Sequence, residues 1–231
     1  MKSTTHKLNK IISFCLWGQD PKYVQGAIKN AELAKIIYPG WKCRFYVASS
    51  VPSIILSILS GYDHVEIVKK QPWGDWRSMF WRFEPASDPE VDVMISRDTD
   101  SRLSLREKYA VDEWINSDCG FHIMRDHPYH NFPVLGGMWG VKKGTCQNMK
   151  TLIKEFGGTN QYGTDYLFFA QKVLPLIEEK QIMVHDEFFD KKPFPKPRKD
   201  FEFVGEVYDK DDNRFHDHVR VLKDYLKNHE S

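Results

Sequence analysis

Short apolar runs alternate along the first part of this chain with longer stretches in which apolar side chains recur at helical spacing. Ile11-Ile12-Ser13-Phe14-Cys15-Leu16-Trp17 reads as a buried first strand, closed by Gly18 and the turn-like Gln19-Asp20-Pro21. Val24, Ala27, Ile28, Ala31, Ala34 and Ile37 predict a helix from Tyr23 to Tyr38, with Asp20 as its cap and Pro39-Gly40 as its stop. A second strand (Lys42 to Ala48), a short helix (Pro52 to Ser60) and a third strand (Val65 to Val68) follow. The stretch from Trp73 to Phe83 predicts a helix from about Asp75, and Val93-Met94-Ile95 a fourth strand.

Beyond it the pattern gives a helix from Leu105 to Ser117, capped by Ser104, and a fifth strand, Phe121 to Met124. A glycine-interrupted strand runs from Leu135 to Val141, and helices run from Thr145 to Phe156 and from Gly163-Thr164-Asp165 onward. Ile182 to Asp186 is a last short strand. Three prolines among basic residues make Lys191 to Lys199 a loop. Phe201 to Glu206 reads as extended, Asp209 to Arg214 as an acidic turn and His216 to Asn228 as a final helix. Strand and helix in alternation predict an α/β fold around a mostly parallel, Rossmann-type central sheet flanked by helices. The expectation is one domain over residues 1–231, with 191–231 a C-terminal loop and helix appendage.

Composition narrows the class. The chain has 231 residues, 41% hydrophobic and 28% charged, as a globular protein does. Its 33 basic and 32 acidic residues leave a net charge of +1, so no global field points to nucleic acid or to a membrane. Aromatic residues at 14% suffice for a core and for an aromatic-lined cleft. Cys15, Cys43, Cys119 and Cys146 lack metal-site spacing and read as reduced thiols. No apolar run approaches the roughly 18–20 residues of a membrane span. A soluble, intracellular protein without a transmembrane segment is expected.

Candidate chemistry gathers where strands end. Val93 to Ile95 drives into Ser96-Arg97-Asp98-Thr99-Asp100-Ser101-Arg102, and in open α/β sheets the carboxyl edge is where ligands bind. Two carboxylates one residue apart can share a hard divalent cation when phosphates complete its shell; the plain alternative is a solvated acidic turn. Arg77 and Arg82, interleaved with aromatics, suit a phosphate or a carboxylate partner. Gly136 to Gly140 allows close approach of a ligand or simply a cramped sheet corner. Asp165 sits where a carboxylate favours its own helix N-terminus. A histidine after a strand, such as His185, is most often structural.

These residues resemble a family. Arg97 to Arg102 at a strand end resembles the DxD motif of GT-A-type glycosyltransferases. Leu135 to Gly140 is similar to their Gly-Gly-x-Trp-Gly segment, Gly163-Thr164-Asp165 to their later acidic motif, and Val184-His185-Asp186 to their C-terminal metal-binding histidine. With Phe80-Trp81-Arg82-Phe83 and His122 to Pro128, the chain resembles small stand-alone glycosyltransferases of large DNA viruses and bacteria, over roughly residues 10 to 190.

The resemblance implies Asp98 and Asp100 holding Mn²⁺ or Mg²⁺ against the diphosphate of a nucleotide sugar, UDP by default, with His185 completing the shell. Leu16, Trp17 and Gly18 would line the nucleoside pocket. Arg77, Arg82 or Arg97 would stabilise the departing diphosphate or hold Asp98. Gly136, Gly137 and Trp139 would shape the sugar and acceptor side, and Asp165 would stand nearest the anomeric carbon. The implied acceptor is a glycan or glycoprotein, and the implied location the cytoplasm, a host's if the chain is viral. Three rivals remain. A haloacid-dehalogenase-type phosphatase would use Asp98 as nucleophile, but three strand–helix units precede the motif here. A sugar-nucleotide pyrophosphorylase would need a glycine-rich, lysine-bearing turn after Leu16. An inert sugar-nucleotide or glycan-binding module would share the fold without turnover.

Overall fold

A computed structural model describes residues 7–71, 74–189 and 192–229. Trp73, Lys191 and the polar N-terminus before Lys7 lie outside the described residues. Seven strands form one sheet: β1 (Lys10–Leu16), β2 (Lys42–Ala48), β3 (Val65–Lys70), β4 (Val93–Ser96), β5 (Phe121–Arg125), β6 (Trp139–Lys142) and β7 (Ile182–Asp186). Their order is β3-β2-β1-β4-β6-β5-β7. All neighbouring pairs are parallel except those of β6, which runs antiparallel to both β4 and β5. The sheet is therefore mostly parallel, as the alternation predicts.

Helix α1 (Pro21–Ile37) follows β1, α2 (Ser53–Ser60) follows β2 and α3 (Leu105–Ile115) follows β4. Side chains alternate across a strand, and β1 feeds both cores accordingly. Ile12, Phe14 and Leu16 pack with α1, Phe45 and Trp114. Ile11 and Cys15 pack on the opposite face with Phe83, Trp139, Phe168 and Phe169. That second face is covered by a 3₁₀ segment (Trp76–Ser87), by α4 (Met149–Phe156) and by α5 (Thr164–Phe168), which runs into a π-helical turn (Phe169–Val173). The helix expected from about Asp75 is present, capped by Asp75, as a 3₁₀ segment, and it contains Pro85, which has no N–H for an α-helical bond.

The glycine-interrupted strand is shorter than its pattern. Only Trp139–Lys142 pairs, because Leu135 to Met138 turns back: the Gly136 carbonyl accepts from Ser96 Oγ at 2.6 Å and Met138 N–H donates to the Leu135 carbonyl. Phe201 to Glu206 forms no strand; Asp200 and Phe201 have φ of 48° and 58°. Helix α6 (His216–His229) closes the described chain, and the segment before it crosses to the end of β4 through a bridge between Val207 and Ser101.

Between β1 and β4 the chain order of the sheet reverses. Strands β2 and β3 lie on one side of β1, and β4 lies on the other. Such a switch point splays the loops at the strand ends and leaves a crevice at the carboxyl edge.

Candidate active site

A cavity of about 580 Å³ opens at that edge, lined by the ends of β1 and β4, the Leu135–Met138 turn, α5 and the C-terminal segment. Leu16, Trp17 and Gly18 form one wall, where Gly18 (φ 74°) turns the chain and its N–H donates to Ser50 Oγ at 2.8 Å. Asp20 then caps α1 by accepting from Lys22 N–H at 2.9 Å. An aromatic rim continues from Trp17: its ring lies edge-on to Trp76 at 6.1 Å, and Trp76 edge-on to Tyr162 at 5.3 Å.

Asp98 and Asp100 stand on the turn after β4, and both line the cavity. This turn is held from two sides. On α1, Asn30 Nδ2 donates to the Ser101 and Thr99 carbonyls at 2.8 and 3.3 Å, while its Oδ1 accepts from Leu103 N–H at 3.0 Å. Gly26 on the same helix face lets the turn approach, since a Cβ there would lie 1.9 Å from the Thr99 carbonyl oxygen. On the other side, Tyr208 N–H donates to the Asp100 carbonyl at 2.9 Å, and Arg102 Nε donates to Asp212 Oδ1 at 2.8 Å. The C-terminal segment is therefore a wall of the cavity, to which it contributes Phe203, Gly205, Val207 and His218.

Charges alternate across the cavity floor. Arg82, 5% exposed, pairs with Asp98 and reaches Asp165 Oδ2 at 3.6 Å; its buried Nε has no partner among the described residues. Lys22 Nζ lies 2.8 Å from Asp100 Oδ2. The two glycines of the turn fit against these side chains. A Cβ on Gly137 would stand 1.8 Å from Asp98 Oδ2, and one on Gly136 would stand 2.1 Å from Asp165 Oδ2 and 2.5 Å from Arg82 Nη2. Burial raises the protonation range of the Asp100 carboxyl, and the like charge of Asp98 adds to it. Burial likewise raises Asp165, with Arg82 opposing the shift. Cys15, beside them, is pushed up to about 12 by burial and is an inert thiol at neutral pH.

The structure thus brings Leu16, Trp17, Gly18, Arg82, Asp98, Asp100, Gly136, Gly137 and Asp165 to one cavity. Four expected site residues are elsewhere. Arg97 turns inward, its Nε donating to Glu107 Oε1 at 3.1 Å and its Nη1 to the Ser96 carbonyl at 2.7 Å. Trp139 is fully buried and stacks on Phe121 with centroids 5.3 Å apart. Arg77 lies outside the lining and binds its neighbour Asp75, Nη2 to Oδ2 at 2.7 Å. His185 is buried beside β5, its Nδ1 2.8 Å from His122 Nε2 and its Nε2 3.6 Å from Glu113. The histidines that line the cavity are His127, His130 and His218. Lys22, His130 and His218 carry no motif in the sequence, and His127 does so only within the His122 to Pro128 stretch; only the spacing of Asp20 and Pro21 hints that the first turn of α1 faces the site.

Do these residues suit a divalent cation? Among the described residues no three His, Cys, Asp or Glu side chains are grouped to hold a metal. Asp98 and Asp100 are nonetheless two carboxylates at one cavity; burial raises Asp100 most, and the repulsion from Asp98 that adds to it is what a cation between them would relieve. Mg²⁺ and Mn²⁺ are commonly held by one or two carboxylates together with substrate phosphates and water, so the donor set fits.

No family model matches the chain, and no curated protein matches it. Solved structures do. A glycosyltransferase involved in the glycosylation of the major capsid of PBCV-1 aligns with TM-score 0.52 and 14% identity, over 78% of this chain and 82% of that one. The 4-diphosphocytidyl-2C-methyl-D-erythritol synthase of Anaerococcus prevotii DSM 20548 aligns with TM-score 0.53 and 10% identity, over 96% and 100%. S. aureus TarS 1-349 aligns with TM-score 0.53 and 11% identity over 78% of this chain, which spans only 58% of that structure. The fold is of the GT-A type. No helix among the described residues is long and apolar enough to cross a membrane.

Proposed function

We propose that this protein is a metal-dependent glycosyltransferase that moves a sugar from a nucleoside-diphosphate sugar, by default a UDP-sugar, to a hydroxyl of a glycan or glycoprotein acceptor. The observation that carries the reading is the convergence of Asp98, Asp100, Arg82 and Asp165 on one cavity at the switch point of the sheet. Four free cysteines, three of them buried, suit a reducing compartment, and we assign the protein to the cytoplasm.

Breaking the bond between sugar and diphosphate builds negative charge on the leaving phosphate and positive charge on the sugar ring. Asp98 and Asp100 would hold Mn²⁺ or Mg²⁺, which when bound supplies Lewis-acid stabilisation of the leaving diphosphate. Arg82 offers a fixed, buried cation for the same charge while tying Asp98 to Asp165. Asp165 presents a carboxylate toward the cavity, able to offset ring charge or to accept the acceptor hydroxyl's proton. The Trp17, Trp76 and Tyr162 rim offers flat apolar surfaces to a base or a sugar ring.

Products separate the readings. Incubation with a panel of nucleotide sugars and Mn²⁺ is expected to release nucleoside diphosphate. Release of pyrophosphate would mark a nucleotidyl transferase, the reading favoured by the full-length likeness to the A. prevotii synthase. Phosphate freed from simple esters would mark a phosphatase, and donor binding without turnover an inert module. Asp100→Ala is expected to stay folded and to lose metal-stimulated donor binding. A variant that binds nucleotide with unchanged metal dependence would overturn the assignment of Asp98 and Asp100.

A further inference from the structure

Lys22 is in the wrong place for a helix and in the right place for Asp100. It occupies the first turn of α1, where the helix dipole opposes a positive charge and where the Asp20 carboxylate is spent on capping, accepting from the Lys22 backbone N–H. Its ammonium instead crosses to the turn after β4 and lies 2.8 Å from Asp100 Oδ2, with the Tyr23 ring 4.6 Å away. The pair is mostly out of solvent: the Lys22 side chain is 31% exposed and that of Asp100 16%. Arg82 matches Asp98 in the same way. Each carboxylate of the Asp98–Asp100 pair therefore already has one cation from this chain.

A divalent cation ligated by Asp100 needs the oxygens that face the cavity, and a carboxylate oxygen cannot serve an ammonium at hydrogen-bond distance and a metal ion at about 2 Å without setting the two cations against each other. We propose that Lys22 is the resident counter-cation of Asp100. It competes with the metal for that carboxylate when no nucleotide is bound, and it passes to the diphosphate oxygens when metal and nucleotide bind together. Lys22 then acts as a positioning residue in the free protein and a phosphate ligand in the complex. Lysine suits this exchange because its ammonium is a point charge on a flexible stem, whereas the forked guanidinium of Arg82 is held between Asp98 and Asp165. The inference rests on the metal reading of Asp98 and Asp100, and it concerns affinities that need no turnover.

The test is direct Mn²⁺ titration of the full chain by calorimetry and by the electron paramagnetic resonance of free Mn²⁺, in wild type, Lys22→Met, Lys22→Arg and Asp100→Ala. Without nucleotide, Lys22→Met is expected to bind Mn²⁺ about tenfold more tightly than wild type, the worth of one modest ion pair removed from competition. With Mn²⁺ saturating, the same variant is expected to bind UDP about tenfold more weakly, while Lys22→Arg stays nearer wild type in both. Opposite movements of the two affinities are the signature, because a merely structural lysine would weaken both. Mn²⁺ affinity unchanged or lowered in Lys22→Met, with Asp100→Ala still abolishing it, would overturn the Lys22 exchange and leave the metal site standing. Mn²⁺ binding by Asp100→Ala equal to that of wild type would overturn the metal site, and the exchange with it.

Discussion

The smallest change that tests the cavity is a methyl group at position 137. A Cβ there would fall 1.8 Å from Asp98 Oδ2 and 3.1 Å from the Asp98 backbone nitrogen, so the carboxylate must swing away from Arg82 to admit it. Gly137→Ala is expected to cost at least about tenfold in metal-supported UDP affinity while melting within a few degrees of wild type, since a cavity-lining side chain can yield where a core one cannot. Calorimetry with UDP and Mn²⁺ checks it; unchanged affinity would mean that Asp98 does not engage the ligand. The residues that could be read in advance are those whose chemistry is local. Asp98, Asp100, Gly136, Gly137 and Asp165 sit at strand or helix ends, and a strand end exposes its charges. Arg97 leaves the cavity because neighbouring residues at a strand end point to opposite sides, and its partner Glu107 lies on α3. Trp139 leaves it for the same reason of parity: on β6 it faces Phe83 and Phe169. Lys22 could not be read at all, because its carboxylate lies on a different element, and no local spacing encodes such a pair.

At the scale of elements, the turn after β4 depends on α1 as much as on its own strand. Asn30 is fully buried and satisfies the Thr99 and Ser101 carbonyls and the Leu103 N–H. Asn30→Ala leaves the Leu103 N–H unpaired in the interior and the Thr99 and Ser101 carbonyls to Arg102 Nη1 alone, at 3.4 and 2.9 Å, and a buried unpaired group costs the full desolvation of that group. The expected loss is roughly 1–3 kcal/mol, read as a fall of about 2–12 °C in Tm. Nucleotide affinity should fall further than stability predicts, because the turn that carries both aspartates loosens. A variant that melts like wild type would show that water replaces the amide without cost. The α-helical periodicity of residues 24–37 made this helix legible, but periodicity marks the buried face without telling which buried residues are polar brackets. The C-terminal segment escaped the same reading. Its contacts with Asp100, Ser101 and Arg102 run through backbone hydrogen bonds, the Arg102–Asp212 ion pair and the Arg102 guanidinium over the Tyr208 ring, which leave no hydrophobic period. The reversal of β6 was equally hidden, since alternation predicts strands but not the turn at Gly136 that sends one of them back.

Across the whole molecule, near-neutral charge hides an uneven distribution of protonation. Burial holds His122, His127, His130, His185 and His218 below the ordinary imidazole range, whereas burial holds Asp100, Asp165 and Glu206 above the ordinary carboxyl range. The two groups act oppositely as pH falls. A histidine depressed in the fold makes the unfolded chain the better proton acceptor, so its stabilisation is intact above its unfolded pKa and lost on acidification. A carboxyl raised in the fold makes the native state the better acceptor, so it gains stability over the lower part of the same titration. His127 isolates the first effect. Burial pushes it down to about 4 from 6.5, and both ring nitrogens are committed as the neutral tautomer: Nδ1 accepts from Tyr129 N–H at 3.0 Å and Nε2–H donates to the His218 carbonyl at 2.9 Å. Protonation would set a second N–H against that of Tyr129. Between about pH 7 and about pH 4.5 wild type should lose roughly 2 kcal/mol more than His127→Gln, allowing for screening at the cavity wall. Urea unfolding of both proteins across that range measures it. The gap between their stabilities should narrow or reverse on acidification, because glutamine keeps an amide donor for the His218 carbonyl and does not titrate. Parallel pH profiles would mean that His127 opens to solvent before it takes up its proton, and that the wall formed by the Tyr129 loop and α6 yields first.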